Sequence, residues 1–451
     1  MKSIRIFVSL LFLVLFYCCQ NDDFTSLTNT DESLDTTSVS TRCIKSGIKI
    51  AILSDIHVMD PSLLVKDGPA FQEYLTKDPK LLKFSAYMMQ VTVSKIIAQK
   101  PDLVLIAGDL TKDGERISHE KVAGMLRQFT SHGIKVVVTI GNHDVNNPEA
   151  VRYNNDKTTP VPTVQASNIP CIYANYGFKN AICKDPNSLS YVNEPINGLW
   201  IITIDANKYY LNTGTIATGS GVIKPETMTW VKAQLAKAQS KGKVVIGMMH
   251  HGLIEHFQGQ QMLDYGYVDD NSDSDANELI DAGLKIILTG HYHANDITKR
   301  EYNGKFIFDV ETGSLVNYPC SYRMLTVVGN TYSFTPQYPT ALMAHVGTVT
   351  FDNYAKKFFS DHLDTYFSYL LLNQFGVTAP YNSMFAPYFK AGAMAHFAGD
   401  EVYPPELPTE LAYLNAADPS GTLSWALNTI WTDINTPDNT VTINMQTGVA
   451  Y

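Results

Sequence analysis

Short, unbroken apolar runs recur along the first three quarters of the chain, at residues 48–53, 103–107, 136–140, 200–204, 244–248, 286–288 and 306–310. They are continuous rather than alternating and rich in β-branched residues, the pattern of strands covered on both faces. Between them, apolar positions recur at helical spacing over 81–99, 119–130 and 224–240. The last of these carries Pro225 in its first turn, where no backbone N–H is needed. Strand–helix alternation predicts an α/β layered domain, and no internal repeat is visible. After Pro336-Gln337-Tyr338-Pro339 the texture changes. Apolar and aromatic residues fall at helical spacing over 353–374, among them Phe358, Phe359, Leu363, Phe367 and Leu370, and again over 384–397 and 423–434. This predicts a small helical appendage whose aromatic stripes form its core.

The amino-terminal pattern differs from both. Lys2 and Arg5 flank the start of an apolar run over 6–17, shorter than the ~20 residues a membrane-spanning helix needs. It ends in Cys18-Cys19, followed by Gln20, Asn21, Asp22 and Asp23. This resembles a lipoprotein signal peptide, with residues 1–18 removed and Cys19 carrying the lipid. Cys19 is preferred because the residue before it, Cys18, is small, whereas Tyr17 precedes Cys18. The acidic residues that follow resemble the surface-export tag of some bacterial lipoproteins. The expected location is the cell envelope, periplasmic or surface-exposed, with the membrane as partner through the lipid. Residues 19–46, dominated by Ser, Thr, Asp and Asn, read as a flexible tether. Outside the cytoplasm disulfides persist, and the close spacing of Cys171 and Cys183 makes them the first expected pair. Cys43 and Cys320 complete the set, and no CxxC spacing points to a zinc ribbon.

Composition narrows the partners. Of 451 residues 45% are hydrophobic and 17% charged, enough to bury a large core in more than one domain. The net charge of −10 gives no counterion-release affinity for DNA or RNA, which excludes a polymeric nucleic acid as main partner. A small phosphorylated ligand stays compatible, because bound divalent cations reverse the local field.

Polar residues able to bind metal stand at the ends of five runs: Ser54-Asp55-Ile56-His57, Gly108-Asp109-Leu110-Thr111, Gly141-Asn142-His143-Asp144, Met249-His250-His251 and Gly290-His291-Tyr292-His293. In an α/β sheet the carboxyl ends of the strands form the ligand crevice, so five segments far apart in sequence converge. Carboxylates and imidazoles together suit zinc, iron or manganese. Read along extended backbone, Asp55-x-His57 and His291-x-His293 each put both members on one side. Glycines 108, 141 and 290 allow tight turns. A single DxH or a single buried histidine carries little; the ordered five carry the inference. His119, His132 and His256 read as structural or surface histidines.

These ordered motifs, Asp55-x-His57, Gly108-Asp109, Gly141-Asn142-His143-Asp144, His250 and Gly290-His291-x-His293, resemble the calcineurin-like metallophosphoesterase superfamily over about 48–296. The resemblance implies a two-sheet sandwich flanked by helices over 47–340, with the helical domain at 341–451. It implies two divalent or trivalent transition metal ions, Mn, Fe or Zn. Asp55, His57 and His293 would hold one, Asn142, His250 and His291 the other, with Asp109 bridging. His143 would be the catalytic acid. Asp144 would orient the His143 ring, act behind the ligands, or cap the turn. His250 is preferred as ligand because it lies nearer the apolar run, which leaves His251 to face the substrate. Purple acid phosphatases have a tyrosine three positions after the Asp of the GD motif; Lys112 stands there and sets this chain apart. The stretch 108–115 with Ser118-His119 resembles a branch of bacterial cyclic-nucleotide phosphodiesterase-like enzymes, some with a helical C-terminal domain. The expected function is hydrolysis of a small phosphate ester, a diester above all. A phosphomonoesterase or a lipid head-group phosphoesterase is the alternative within the class. A surface-exposed binding lipoprotein without turnover is the alternative outside it, and the complete ligand set with His143 speaks against it.

Overall fold

The computed structural model describes residues 47–451 except 375, 400, 419, 433, 435 and 436. The expected signal peptide over 1–18, the expected lipidation site Cys19, the expected tether over 19–46 and Cys43 lie outside the described residues. The apolar runs form the strands expected of them. β1 (Ile48–Leu53), β2 (Leu103–Ala107) and β3 (Lys135–Thr139) lie parallel, with Ala51 against Val104 and Val104 against Val136. β4 (Leu199–Ile204), β5 (Val244–Met249), β6 (Ile286–Thr289) and β7 (Lys305–Glu311) make a second parallel set. Each set belongs to a seven-stranded mixed sheet, the first set at one edge of its sheet and the second set inside its own. Ile50, Ile52, Val104 and Ile106 of the first share one buried cluster with Ile246, Met248, Leu288 and Val310 of the second. That cluster is the filling of an α/β sandwich.

Helices close the outer faces. α1 (Ser85–Gln99) and α2 (Arg116–Ser131) place Val93, Ile96, Leu126 and Phe129 on the first sheet. α3 (Pro225–Ser240) and α4 (Ser272–Asp281) place Val231, Leu235, Leu279 and Ile280 against Trp200 and Ile202 of the second. Burying each such side chain contributes roughly 1.5–3 kcal/mol.

The antiparallel parts were not foreseen. β8 (Tyr322–Val328) pairs with β1 and with β9 (Thr331–Gln337), while Asp296–Tyr302 borders β7. A small third sheet joins Leu64–Lys66, Val151–Asn154 and Lys157–Pro160.

The C-terminal segment is helical as expected, with α5 (Phe351–Tyr369), α6 (Ala379–Ala398), α7 (Leu407–Ala417) and α8 (Thr422–Ile430). Phe359, Leu363, Phe385, Phe389, Leu414 and Leu427 share its core. It is not joined at one end only. Asn295 N–H donates to Phe397 O (3.2 Å), Ile297 N–H to Asp438 Oδ1 (2.9 Å) and Thr429 Oγ1 to Gln258 O (2.6 Å). Past the helices, β10 (Val441–Asn444) pairs with β9, and β11 (Val449–Ala450) with β10. The first sheet thus crosses the boundary expected at 340/341, and the described residues belong to one compact unit. Cys171, Cys183 and Cys320 are free thiols, so the expected Cys171–Cys183 disulfide is not formed; Cys171 sits in the short helix Ile169–Ile172 and Cys183 on an edge strand. Among the described residues no helix is long and apolar enough to cross a membrane.

Candidate metal centre

The five polar motifs begin where β1, β2, β3, β5 and β6 end, in loops rather than on extended backbone. Asp55, His57, Asp109, His291 and His293 have φ of 50°, 36°, 46°, 77° and 71°. Left-handed backbone at a non-glycine residue costs of order 1–3 kcal/mol and persists only where the surroundings impose it. The expected strand-like alternation is therefore corrected: each DxH and HxH pair is aimed by left-handed turns. Gly108 has φ 94° and makes such a turn. Gly141 and Gly290 serve close approach instead. A Cβ would strike the Asp109 carboxylate at the first and Ser54 Oγ with the Asp55 carboxylate at the second.

Asp55 and Asp109 divide their oxygens alike. Asp55 Oδ2 accepts from Ser54 Oγ (2.5 Å) and His291 N–H (2.9 Å), and Asp109 Oδ1 accepts from His143 N–H (2.9 Å). The other oxygens, Asp55 Oδ1 and Asp109 Oδ2, are buried without a hydrogen bond. Around Asp55 Oδ1 stand the Nε2 atoms of His293 (3.2 Å), His57 (3.7 Å) and His250 (3.9 Å). Around Asp109 Oδ2 stand those of His250 (3.3 Å), His57 (3.4 Å) and His143 (3.9 Å). Asn142 Oδ1 lies 3.0 Å from His250 Nε2. Donor atoms of Asp55, His57 and His293 fall within 4.8 Å of one another, as do those of Asp109, His250 and His291. Backbone carbonyls aim two of the rings: His250 Nδ1 donates to Ala107 O (2.9 Å) and His291 Nε2 to Gly266 O (3.2 Å). Buried carboxylate oxygens without donors, facing imidazole nitrogens, waste hydrogen-bonding capacity unless cations join them. This donor set fits two transition metal ions.

Charge follows the same logic. Burial works to raise the Asp109 pKa, but His250, His143 and His57 outweigh it and hold the carboxyl well below its usual range. At Asp55 too burial works upward, and His293 and His250 outweigh it and lower the pKa. Burial would lower His250, yet Asp109 and Asp55 push it up to about 9. Burial holds His57 and His291 well below normal, helped by Lys80 at the first and by His251 and His250 at the second.

Two expectations are corrected. His251 does not face the cleft. Its buried ring packs 4.4 Å from His291 with Nε2 2.8 Å from Gly219 O, and burial beside His250 lowers its pKa to about 3. Asp144 does not orient His143. Its carboxylate accepts from the N–H groups of Leu110 (3.0 Å), Gly141 (2.9 Å) and Thr111 (2.9 Å) and from Thr111 Oγ1 (2.8 Å), tying the β2 and β3 loops together as a turn cap.

The partner of His143 is Asp113, with Oδ1 2.7 Å from Nδ1. Asp113 lies in the stretch 108–115 that the sequence offers only as a branch marker. Lys112 is buried and ion-paired to Asp113 from behind, with its ammonium over the Tyr74 ring. Lys80 is a second unforeseen residue: it is buried, 3.4 Å from His143 Nε2 and 2.9 Å from Asp78 Oδ2. Burial and Lys80 depress the His143 pKa, but Asp109 and Asp113 leave it raised. His119 and His132 match their reading, the first buried between Asp144 O (2.8 Å) and the Tyr173 hydroxyl (2.7 Å), the second exposed. His256 is buried 2.6 Å from Asp296, beside a His396–Glu401 contact of 2.5 Å, in a polar seam between sheet and α6.

Asp109, Asn142, His143, His291 and His293 line one end of a cavity of about 1130 Å³. Residues 48–295 match the family model described as calcineurin-like phosphoesterase. No curated protein matches the chain. Among solved structures, a dimetal phosphatase from Danio rerio is 11% identical over 65% of this chain and 97% of its own, with a TM-score of 0.45. A purple acid phosphatase from yellow lupin (Lupinus luteus) seeds is 11% identical over 66% and 53%, with a TM-score of 0.39. GAP50, the anchor in the inner membrane complex of Plasmodium, is 12% identical over 70% and 95%, with a TM-score of 0.36.

Proposed function

This chain belongs to the calcineurin-like phosphoesterase family, and from that premise we propose that it is a dinuclear metal-dependent phosphodiesterase acting on small esters in the cell envelope. The observation that carries the reading is the pair of unsatisfied carboxylate oxygens, Asp55 Oδ1 and Asp109 Oδ2, ringed by imidazole nitrogens. Asp55, His57 and His293 would hold one ion, and Asn142, His250 and His291 the other, with Asp109 between them. Such a pair supplies Lewis-acid activation of water near neutral pH and neutralises phosphoryl charge.

The chain's own residues do the rest. Asp113 holds Nδ1 of His143, which leaves Nε2 directed at the cavity to hand a proton to the leaving oxygen. Lys80, fixed by Asp78, adds a positive charge beside that nitrogen for a phosphoryl oxygen. Preference for a diester rests on the 108–115 stretch, whose Asp113 takes part in the site. The lipid at Cys19 would hold the enzyme on the membrane.

Elemental analysis of purified protein, with hydrolysis of a monoester and a diester sharing one leaving group, tests the reading. Two metals per chain and faster diester turnover are expected. At most one bound metal removes the dinuclear site, and turnover of the monoester alone removes the phosphodiesterase.

A further inference from the structure

The cavity that begins at the metal-binding residues does not end there. It runs between the C-terminal helices, where Leu363 and Phe367 of α5, Phe389 and Ala393 of α6, and Ala426 and Ile430 of α8 line it. The sequence reads these aromatic stripes as a core, and many of the same residues do share a buried cluster. That cluster leaves a space open along its length. Well-packed interiors hold few voids larger than a water molecule, and at about 1130 Å³ this one slightly exceeds the ~300–1,000 Å³ range of small-molecule sites. A phosphoryl group needs only the end of it.

The polarity along the cavity is graded. Lys80 and Asp78 stand with His143 at the metal end. The helices contribute apolar side chains beyond. Met262, Tyr265 and Tyr369 also line it and are more than half exposed, so the cavity opens to solvent.

We propose that the substrate is an amphiphilic phosphate ester, with its phosphoryl group at the Asp55–Asp109 cluster and a hydrocarbon chain between α5, α6 and α8. This rests on the phosphoesterase reading and names its substrate class. The helical segment, which carries no reactive side chain of its own in the proposed chemistry, is on this account the specificity element.

The test is a series of n-alkyl 4-nitrophenyl phosphodiesters, methyl to dodecyl, kept below micelle formation and hydrolysed by the metal-loaded protein. kcat/KM is expected to rise about two- to fourfold per methylene until the cavity fills, the factor that burial of a methylene gives. Ala393→Trp and Ala426→Trp, which fill the space, should each lower the octyl-to-butyl ratio of kcat/KM at least tenfold. In parallel, calorimetric Kd values for n-alkyl phosphonates, with and without metal, should fall with chain length in the same proportion. Equal kcat/KM along the series, with the butyl ester still hydrolysed, overturns the inference and leaves the phosphodiesterase standing. If no ester is hydrolysed the phosphodiesterase reading fails, and the phosphonate series still decides the cavity: a Kd independent of chain length overturns it. Dodecyl ester turned over faster as monomer than in phosphatidylcholine vesicles identifies a dissolved amphiphile, and the reverse a membrane lipid; both outcomes support a chain-binding cavity.

Discussion

Around His143 two carboxylates compete for one role, and hydrogen-bond geometry divides the work between them. Asp113 reaches Nδ1 of His143, while Asp144 is spent on three backbone N–H groups and a hydroxyl. His143→Ala should keep both metals and lose ~10²–10⁴ in kcat for alkyl leaving groups, with less loss for aryl ones that depart unaided. Asp113→Asn should show the same leaving-group dependence at a smaller loss, roughly 10–100-fold, as for partners that orient a working ring. Asp144→Asn should instead lower stability by ~1–3 kcal/mol, since an amide cannot replace all four accepted bonds. The measurements are kcat across diesters of graded leaving-group pKa, metal content and urea unfolding. An equal loss across the series at full metal occupancy would mean that His143 positions phosphate. A second residue-scale outcome concerns His119, whose burial holds its pKa down at about 4. Between pH 6.5 and 4 the unfolded chain binds a proton here that the folded chain refuses, so stability falls as pH falls through that window. At pH 5 the loss is ~2 kcal/mol. His119→Gln should shrink the difference in unfolding free energy between pH 7 and pH 5 by that amount, and an unchanged difference would refute the assignment. The residues gathered into the two candidate ligand groups were legible because motif order and strand ends announce them. Asp113 and Lys80 were not, because their roles arise from packing: nothing in Lys77-Asp78-Pro79-Lys80 says that Lys80 meets a histidine 63 positions on. Nor does Gly141-Asn142-His143-Asp144 say that its own carboxylate turns back to the β2 loop.

At the scale of elements, the loops after β1 and β6 are set against each other with no slack. Asp55 Oδ2 accepts from the N–H of His291, and Gly290 lies where any Cβ would meet Ser54 and Asp55. Gly290→Ala should therefore push the two loops apart and lower occupancy at Asp55, His57 and His293, with the fold intact by circular dichroism. Elemental analysis checks it: full occupancy in the variant would show that the loops yield. The parallel strands were visible in the sequence because burial on both faces makes them uniformly apolar. β8, β9 and β10 were missed because they alternate. In β9, Tyr332 and Phe334 point inward between half-buried Thr331, Ser333 and Thr335. Seven such residues give a far weaker signal than five consecutive aliphatic ones.

For the whole molecule, the unexpected fact is that the chain leaves the first sheet, builds a helical bundle, and returns. Val441, Ile443 and Met445 belong to the same buried cluster as β1 and β2. A chain ending at residue 440 should lose about 3–6 kcal/mol from Val441 and Ile443 alone, a large part of the ~5–15 kcal/mol that typical domains possess. Thermal unfolding should show a clear fall in midpoint; an unchanged midpoint would make the last strands ornamental. At the other end, Cys18→Ser with Cys19→Ser should abolish labelled fatty-acid incorporation, and an unlabelled wild-type chain would remove the proposed anchor. A helical C-terminal segment was legible from its aromatic spacing. Its threading was not, because a strand of four residues takes its meaning from the edge it joins. That edge also sets a clock. Residues 338–440 must be made after β9 before β10 exists, and at ~5–20 residues per second this takes roughly 5–20 s. For that interval a nascent chain shows an unpaired strand edge, the feature by which chains stick to one another. Synthesis itself thus tells chains carried through Val441–Asn444 from those that stop short: only the former cover the adhesive edge of β9.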